Sequence, residues 1–502
     1  MLKNIGSNWV LTLVAIAATY VLTPFTIHTL GKDGYGTWTL ITALTGYMSL
    51  LALGVPMACV RYLAEHVAEG DQQQMNRTIG SCVGLYLMIG AAAAAIGLAL
   101  TFALTALYDI PIALRAPARI AFAVMALQVA AGFVGLLPEG IMFAHHDFVL
   151  RNLIKVSGVV LRLLLTIGLL SMDASLVLLA VVQLVCLAFE FVVALFLIRW
   201  RYPDVRVSLA DWNMPMIRQI FSFSVFVLLL HAGARLTFEA DALVIGAVLG
   251  VASIPFYAVA NSLIVYLMDF IIAIAAVVSP MATKLNTEGR HDELREIFLK
   301  WSKVALSLSL MAGLFLIVLG PRFLGWWIDP GFEGPSGQVL QILTISSFIF
   351  LPVRGVALPV LIGMGKPKAP TVTFAGAGVV NVLLSIALAK PLGLTGVALG
   401  TAIPNVVFAI VVLILACREL KISTMKYLTY VVPRAALGAM PVLALLLWFR
   451  LGIGVESFTG LFVAGLAMLL LFGLTWIFFV YRNDPYVNVQ GHLVRFRAWG
   501  RA

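Results

Sequence analysis

The chain has 502 residues, of which 62% are hydrophobic and 11% are charged, and its mean hydropathy is +1.04. A soluble domain of this length needs far more polar surface, so the composition excludes a soluble globular protein. A formal net charge of +10 could indicate a nucleic-acid partner, but the basic residues follow a membrane topology, and no nucleic-acid partner is expected.

Apolar runs longer than the roughly 20 residues that cross a bilayer recur along the whole chain. They predict an all-α polytopic membrane protein with about 14 transmembrane helices. The first run follows Lys3, is too long for a signal-peptide core and is expected to be retained. The predicted spans are 7–29, 38–60, 78–107, 117–143, 149–171, 174–198, 219–249, 253–280, 298–320, 337–363, 368–389, 394–417, 430–450 and 457–480.

Positive charge is unevenly distributed between alternate loops. With both termini in the cytoplasm, the inner side receives 24 of the 33 Lys and Arg residues and the outer side receives six. The remaining three are Arg162, Arg235 and Arg354, which lie inside apolar runs. The positive-inside rule therefore predicts cytoplasmic termini and an even number of spans.

The chain pairs with itself when it is shifted by 219 residues, which aligns Leu30-Gly31 with Leu249-Gly250 and places the first six spans over spans seven to twelve. Because six is an even number, the two halves share one orientation, as in transporters with parallel repeats and a central site. The predicted domains are an N-terminal six-helix lobe at 1–198, a cytoplasmic linker at 199–218, a C-terminal six-helix lobe at 219–418, and two additional helices with a cytoplasmic tail at 419–502.

The sequence lacks the motifs of an ATPase or a metal enzyme. No complete G-x-x-x-x-G-K-[ST] motif occurs, and His145-His146-Asp147 has no further spaced ligands, so neither a cofactor nor a metal is expected. The outer loops are short, which argues against an enzyme. Disulfides are not expected to organise the fold, because all four cysteines lie in or beside apolar runs: Cys59, Cys82, Cys186 and Cys417.

Residues 221–250 form an apolar run that ionisable side chains interrupt. Such side chains are costly in lipid, so they normally face a protein interior or an aqueous cavity. Helical spacing places four polar residues of this run on one stripe: Ser224, His231, Arg235 and Glu239. Asp241 lies off that stripe. One helix is therefore predicted to carry a polar face at membrane depth.

Three arginines and few acids lie deep in the predicted spans, which suits an anionic ligand, because guanidinium matches phosphate and pyrophosphate by paired hydrogen bonds. Glu139 and Glu190 lie nearer the cytoplasmic ends of their spans and are interpreted as snorkelling to water. An alternative for Arg235 and Glu239 is mutual neutralisation along one helix. The predicted substrate-binding residues are Arg162, Arg235 and Arg354, and the predicted gating or ion-coupling residues are Asp269, Glu239 and Asp241.

Two segments carry a family resemblance: PFTIHTLGKDGYGTW at 24–38 and GYMSLLALGVPMACVRYLAEHVAEGD at 46–71. They resemble the opening of bacterial oligosaccharide flippases, the polysaccharide-export branch of the superfamily that also holds multidrug extruders and the peptidoglycan-precursor flippase. The resemblance continues in outline along the chain. Ala52 stands where the family often has aspartate, which removes one polar group from the second span.

The resemblance implies alternating access between two six-helix lobes in the bacterial cytoplasmic (inner) membrane. The substrate would be an undecaprenyl-pyrophosphate-linked oligosaccharide, moved from the cytoplasmic to the periplasmic leaflet for cell-surface polysaccharide biosynthesis. The implied partners are this lipid-linked oligosaccharide, membrane lipids, and the polysaccharide polymerase and chain-length machinery.

Three rival functions are weighed against this one. A cation-coupled multidrug antiporter commonly has an acid in an early span, yet residues 1–32 contain none. A peptidoglycan-precursor flippase is expected to carry arginines in its first two spans, where only Arg61 occurs. An integral-membrane glycosyltransferase or ligase is disfavoured by the short outer loops.

Overall fold

The computed structural model describes residues 2–52, 54–208, 212–217, 235, 239–455 and 457–487. Within these ranges the regular secondary structure is helical, which confirms the all-α prediction. The chain forms two compact units, of which unit 1 comprises Met1–Arg235 and Ala242–Pro255, and unit 2 comprises Leu236–Asp241 and Phe256–Ala502. The domain boundaries expected from the sequence stay predictions.

Unit 1 consists of long helices, most of them apolar along most of their length, joined by short turns. Helices that are apolar all round are typical of membrane spans. Its helices are α1 (Leu2–Met48), α2 (Val55–Glu69), α3 (Gln72–Leu107), α4 (Ile112–Ala144), α5 (Phe148–Leu170), α6 (Leu176–Arg201) and α7 (Ala240–Val248), with 3-10 turns at Ser49–Ala52 and Val251–Ser253. The first two residues of α7 belong to unit 2.

A glycine breaks α1 between the first two predicted spans. Gly31 has φ 71° and ψ 176°, a conformation that residues with a Cβ rarely adopt. A second break follows at Gly54, with φ 75°, before α2 begins. The predicted span 38–60 runs past this second break, because apolar residues continue into α2.

Unit 2 contains the remaining helices. They are α8 (Ile254–Ile272), whose first two residues belong to unit 1, α9 (Ala275–Thr287), α10 (His291–Val318), α11 (Gly320–Trp327), α12 (Glu333–Pro352), α13 (Leu358–Gly363), α14 (Lys368–Glu419), α15 (Thr424–Trp448) and α16 (Phe458–Thr475), with a 3-10 turn at Pro330–Phe332 and π-helical turns at Val353–Ala357, Phe449–Ile453 and Trp476–Val480.

Helix α14 is broken in its middle at Gly393, which has φ 61° and ψ −139°. The break leaves a first limb at 368–391 and a second limb at 394–419, two segments that are each long enough to cross a bilayer. The limbs approach closely, because a Cβ at Gly396 would stand 2.1 Å from the backbone oxygen of Leu388. A side chain at this glycine would force the limbs apart.

Eleven helical segments in the described ranges are long and apolar enough to cross a membrane. Two of them, Gly6–Ala52 and Lys368–Glu419, contain the breaks at Gly31 and Gly393. The protein is therefore a multi-pass membrane protein. Most of the predicted span 219–249 lies outside the described residues, including Ser224 and His231, so the count of fourteen stays a prediction.

Helix ends recur 219 residues apart. Helix α3 begins at Gln72 and α10 begins at His291. Left-handed glycines pair in the same register: Gly31 with Gly250, and Gly70 with Gly289. These correspondences support the predicted repeat, which stays a prediction.

The described part of the linker packs against α3 within unit 1. The Asn213 N–H donates to the Ser81 Oγ at 3.0 Å. Trp212 lies against Gly84, where an added Cβ would stand 2.4 Å from the indole ring. This segment is therefore held to one helix by both packing and hydrogen bonding.

One disulfide occurs where none was expected. Cys59 of α2 and Cys82 of α3 are joined, and their Cα atoms are 6.5 Å apart. The prediction is wrong for this pair, because the turn between α2 and α3 brings two distant positions of the sequence side by side. Cys186 and Cys417 are free thiols, both buried.

Candidate functional site

A buried carboxylate in unit 2 lies at the centre of a polar network. Asp241, in the first turn of α7, is 3% exposed. Its carboxylate accepts a hydrogen bond from the Tyr257 hydroxyl at 2.7 Å and from the Thr401 Oγ1 at 3.0 Å. Both donors are buried as well. Three elements, α7, α8 and the second limb of α14, thus supply one polar cluster.

The first limb of α14 extends this network. The Asn381 Nδ2 donates to the Thr401 Oγ1 at 3.2 Å, and the Ser385 Oγ donates to the Asn381 Oδ1 at 3.2 Å. Gly400 makes this possible, because a Cβ there would stand 2.2 Å from the Ser385 Oγ. The cluster therefore offers carboxylate, hydroxyl and amide oxygens in a buried place.

Asp241 has no cationic side chain as a partner among the described residues. An ionised carboxylate buried beside neutral groups alone is costly, and the cost falls when a proton or a cation binds. Oxygen ligands of this kind are those that hard cations prefer. The described residues contain no group of three or more His, Cys, Asp or Glu side chains that could hold a metal ion. The arrangement is thus suited to reversible binding of a proton or an alkali cation.

Arg354 lies in the π-helical turn at Val353–Ala357 of unit 2. Its guanidinium stands over the Phe374 ring, 4.7 Å from the ring centroid. Its buried Nε has no hydrogen-bond partner within the described ranges. A buried donor that lacks a protein partner is costly, so this N–H is available to a ligand.

Arg162 lies on α5 of unit 1, where its guanidinium contacts the Cys186 thiol. Its Nε is also buried and lacks a hydrogen-bond partner in the described part of the chain. Two of the three predicted substrate-binding arginines therefore share one feature. Each presents a buried guanidinium N–H that the described residues leave unsatisfied.

The other predicted residues have different surroundings. The Arg235 Nη2 donates to the Ser49 Oγ at 3.3 Å, and the Arg235 carbonyl accepts from the Tyr47 hydroxyl at 3.1 Å, both within unit 1. Asp269 is exposed on α8, outside the Asp241 network. Glu239 lies beside the start of α7 and is partly exposed. Asp241 is thus the predicted coupling residue that the structure surrounds with buried polar groups.

A second charged cluster occupies unit 1. The Lys155 Nζ lies 2.7 Å from a Glu139 carboxylate oxygen and 2.9 Å from a Glu190 carboxylate oxygen. Arg151 approaches Glu139 at 3.5 Å. Gly158 leaves space for Glu190, because a Cβ there would stand 2.1 Å from its Oε1. Glu139 and Glu190 both pair with Lys155 and remain partly exposed, so the interpretation that they snorkel to water stays a prediction.

The sequence analysis did not identify Tyr257 or Thr401 as site residues. A lone hydroxyl in an apolar helix carries no charge, so it does not stand out as costly in lipid. The available signal was the close spacing of Gly396, Gly400 and Thr401 on one segment, since small residues indicate close helix packing.

Solved structures share this fold. A lipid II flippase, MurJ, in an inward closed conformation aligns with TM-score 0.75 at 12% identity, covering 96% of this chain and 99% of that one. An inward-facing multidrug resistance transporter of the MATE family in the MOP superfamily aligns with TM-score 0.68 at 17% identity, covering 82% and 98%. The fold is therefore that of multi-pass membrane transporters.

Sequence comparison defines the family. Residues 1–286 match the family described as "Polysaccharide biosynthesis protein". The chain belongs to this family, which confirms the resemblance seen in its opening segments. A membrane protein of Bacillus subtilis, EpsK, is 22% identical over 414 residues, covering 80% of this chain and 79% of that protein.

Proposed function

We propose that this protein is a flippase that moves an undecaprenyl-pyrophosphate-linked oligosaccharide from the cytoplasmic to the periplasmic leaflet by alternating access. It acts in the bacterial inner membrane, with both termini in the cytoplasm, and serves cell-surface polysaccharide biosynthesis. The observation that carries the proposal is the pair of buried guanidinium N–H groups on Arg162 and Arg354 that the described residues leave unsatisfied.

A pyrophosphate suits these donors. Guanidinium is a planar fork of five donors that binds phosphate oxygens in pairs, and its attraction to an anion grows where water is excluded. Arg235 adds a third guanidinium, which already donates one hydrogen bond to the Ser49 hydroxyl. We assign substrate contact to these three arginines.

We assign ion coupling to Asp241, with Glu239 and Asp269 as further gating or coupling groups. A bound proton or alkali cation stabilises the Asp241 network in one state, and its release favours the other. A ligand shifts such an equilibrium only through its different affinity for the two states. The polysaccharide polymerase and chain-length machinery are the expected protein partners, and no enzymatic step is required of this chain.

The proposal is tested by replacing the arginines. In Arg354→Ala and Arg162→Ala cells, surface polysaccharide falls by at least about tenfold, because a charged hydrogen-bond partner of the pyrophosphate is lost. Arg354→Lys retains the charge but loses the paired donors, and it recovers only part of the export. Arg450→Ala, on the outer side by the predicted topology, serves as the control and exports normally.

Membrane levels of each variant are measured by immunoblot beside the polysaccharide assay. Undiminished export by both alanine variants at normal protein levels contradicts the assignment.

A second candidate is a cation-coupled multidrug antiporter of the same superfamily. The observation that favours it is the Asp241 network, whose buried carboxylate receives hydrogen bonds from neutral groups and suits the coupling cation that an antiporter needs. The two functions separate in one experiment: a strain lacking the protein shows drug hypersensitivity with intact surface polysaccharide if it is an antiporter, and the reverse if it is a flippase.

A further inference from the structure

A cavity of about 460 Å³ lies within unit 2, away from the Asp241 network. It is formed by α11, by the start of α12 and by the turn before α16, and it is lined by Trp326, Arg322, Glu333, Gly325, Pro330 and Val455 among others. The predicted topology places all of these segments on the outer side of the membrane. The volume falls within the range of small-molecule sites.

The cavity presents a fixed aromatic surface. The Trp326 side chain is 41% exposed and stacks on the Phe458 ring, with ring centroids 4.6 Å apart and an interplanar angle of 21°. Its neighbour Trp327 is buried in the protein core. An indole that is held in place and still accessible can pack against the C–H face of a sugar ring, which is apolar and slightly positive, whereas the face of the indole is negative.

The polar part of the cavity is an ion pair with spare hydrogen-bonding capacity. The Arg322 Nε lies 3.5 Å from the Glu333 Oε1, and the two side chains are 34% and 45% exposed. The Arg322 Nη1 also reaches the Val455 carbonyl at 3.5 Å. These long contacts leave most of the five guanidinium donors and most carboxylate lone pairs for a ligand. A sugar hydroxyl both donates and accepts, so adjacent hydroxyls match this pair.

The charge of the cavity distinguishes between ligand classes. Arg322 and Glu333 cancel each other, so the cavity does not favour an anionic headgroup, and Glu333 repels a phosphate. An interfacial tryptophan belt would account for the exposure of Trp326 but not for an ion pair in the same cavity. Gly325 keeps the cavity open, because a Cβ there would stand 3.2 Å from the Glu333 Cβ.

We propose that this cavity is an outer saccharide-binding site, which holds a neutral sugar ring between the Trp326 indole and the Arg322–Glu333 pair. Family membership in polysaccharide biosynthesis makes a glycan the expected encounter on this side. The site stands on its own geometry and does not require that the chain flip lipids.

The test uses the full-length purified protein in lipid nanodiscs. Methyl glycosides of glucose, galactose, mannose and N-acetylglucosamine are the probes, and binding is followed by saturation-transfer difference NMR. We expect saturable binding of at least one probe, which weakens about tenfold in Trp326→Ala and at least about threefold in Glu333→Gln. Trp448→Ala, which removes another exposed tryptophan, leaves the affinity unchanged.

Folding is checked by size-exclusion chromatography and thermal denaturation. If Trp326→Ala is not folded, Gly325→Leu, which fills the cavity, takes its place. The proposal is overturned if none of the four probes shows saturable binding, or if the cavity variants bind the probes as well as the wild type. It is also overturned if the cavity binds phosphatidylethanolamine and no sugar. None of these outcomes bears on export by the arginine variants, so the two proposals fail separately.

Discussion

Two charged clusters, one in each unit, are balanced in different ways. In unit 1, Lys155 lies between Glu139 and Glu190, so each of these three partly exposed charges has an opposite charge beside it. In unit 2, Asp241 is surrounded by neutral hydroxyl and amide groups. A cluster whose charges balance internally gains little stability from binding a further ion. A carboxylate without an opposite charge gains much more from binding a proton or a cation. From this comparison we expect a structural role for the first cluster, and it agrees with the coupling role proposed for the second.

In the predicted 219-residue register, residues of each cluster correspond to side chains of a different kind in the other unit. Asn381 of the Asp241 network corresponds to Arg162, and Thr401 corresponds to Val182. The register also pairs Phe374, which lies under the Arg354 guanidinium, with Lys155. A buried arginine Nε thus lies on α5 in unit 1, at Arg162, and in the π-helical turn in unit 2, at Arg354.

Removing the Asp241 charge is expected to have the largest effect. In Asp241→Asn, cation-dependent transport by protein reconstituted in liposomes falls about 100-fold, since the loss of an ionised ligand in a buried site costs about 3 kcal/mol. The amide keeps the shape of the side chain, so the protein still folds. Asp109→Asn, a change at an exposed residue that the predicted topology places on the outer side, is the control. If transport by Asp241→Asn keeps its normal dependence on the cation, neither cluster couples transport to an ion, and the proposed difference between them is wrong.

Removing the Lys155 charge is expected to affect stability rather than coupling. Lys155→Met leaves Glu190 without its cation and Glu139 with Arg151 alone. We expect the free energy of unfolding to fall by about 2 kcal/mol, less than in a fully buried pair because the side chains are partly exposed. The triple variant with Glu139→Gln and Glu190→Gln regains most of this loss. Thermal denaturation in detergent measures both. A loss of transport at unchanged stability would contradict the structural role.

Thr401→Val makes unit 2 resemble unit 1 at this position, and its expected effect is smaller. The carboxylate loses one of its two hydroxyl donors, so the affinity for the coupling ion falls about three- to tenfold. Isothermal titration calorimetry measures the affinity for Na⁺, and proton release on addition of substrate measures the affinity for a proton. Ser309→Ala, which removes a buried hydroxyl that bonds only its own helix, is the control. Equal losses in both variants would mean that any buried hydroxyl matters.

The sequence predicted the fold better than the site. Long apolar runs predict helices and spans because the bilayer requires both length and internal hydrogen bonding. The cost of charge in lipid marked Asp241, Arg162 and Arg354. It does not reveal which helices meet, so the partners of Asp241 on α14 were not predicted. The pairing of Glu139 and Glu190 with Lys155 was not predicted for the same reason, since it forms only when α4, α5 and α6 pack together.

The turns after α4 and α13 provide the smallest expected contrast. His145 stacks on Tyr202, with ring centroids 4.1 Å apart, and burial lowers the pKa of its imidazole. The equivalent residue of the second turn is Met364, which does not titrate. A lowered pKa means that the folded state favours neutral His145. Its stabilising contribution is therefore complete above the ordinary histidine pKa and is lost as the pH falls toward the lowered value.

Between pH 7 and pH 5, the melting temperature of the wild-type protein is thus expected to fall slightly more than that of His145→Gln, which keeps a planar polar side chain but does not titrate. Nearby Asp147 opposes the effect by favouring the imidazolium, so the difference is small. Met364→Leu is the matched variant in unit 2, and its pH dependence follows the wild type. If His145→Gln retains the full pH dependence, the titrating group lies elsewhere, and this turn does not distinguish the two units.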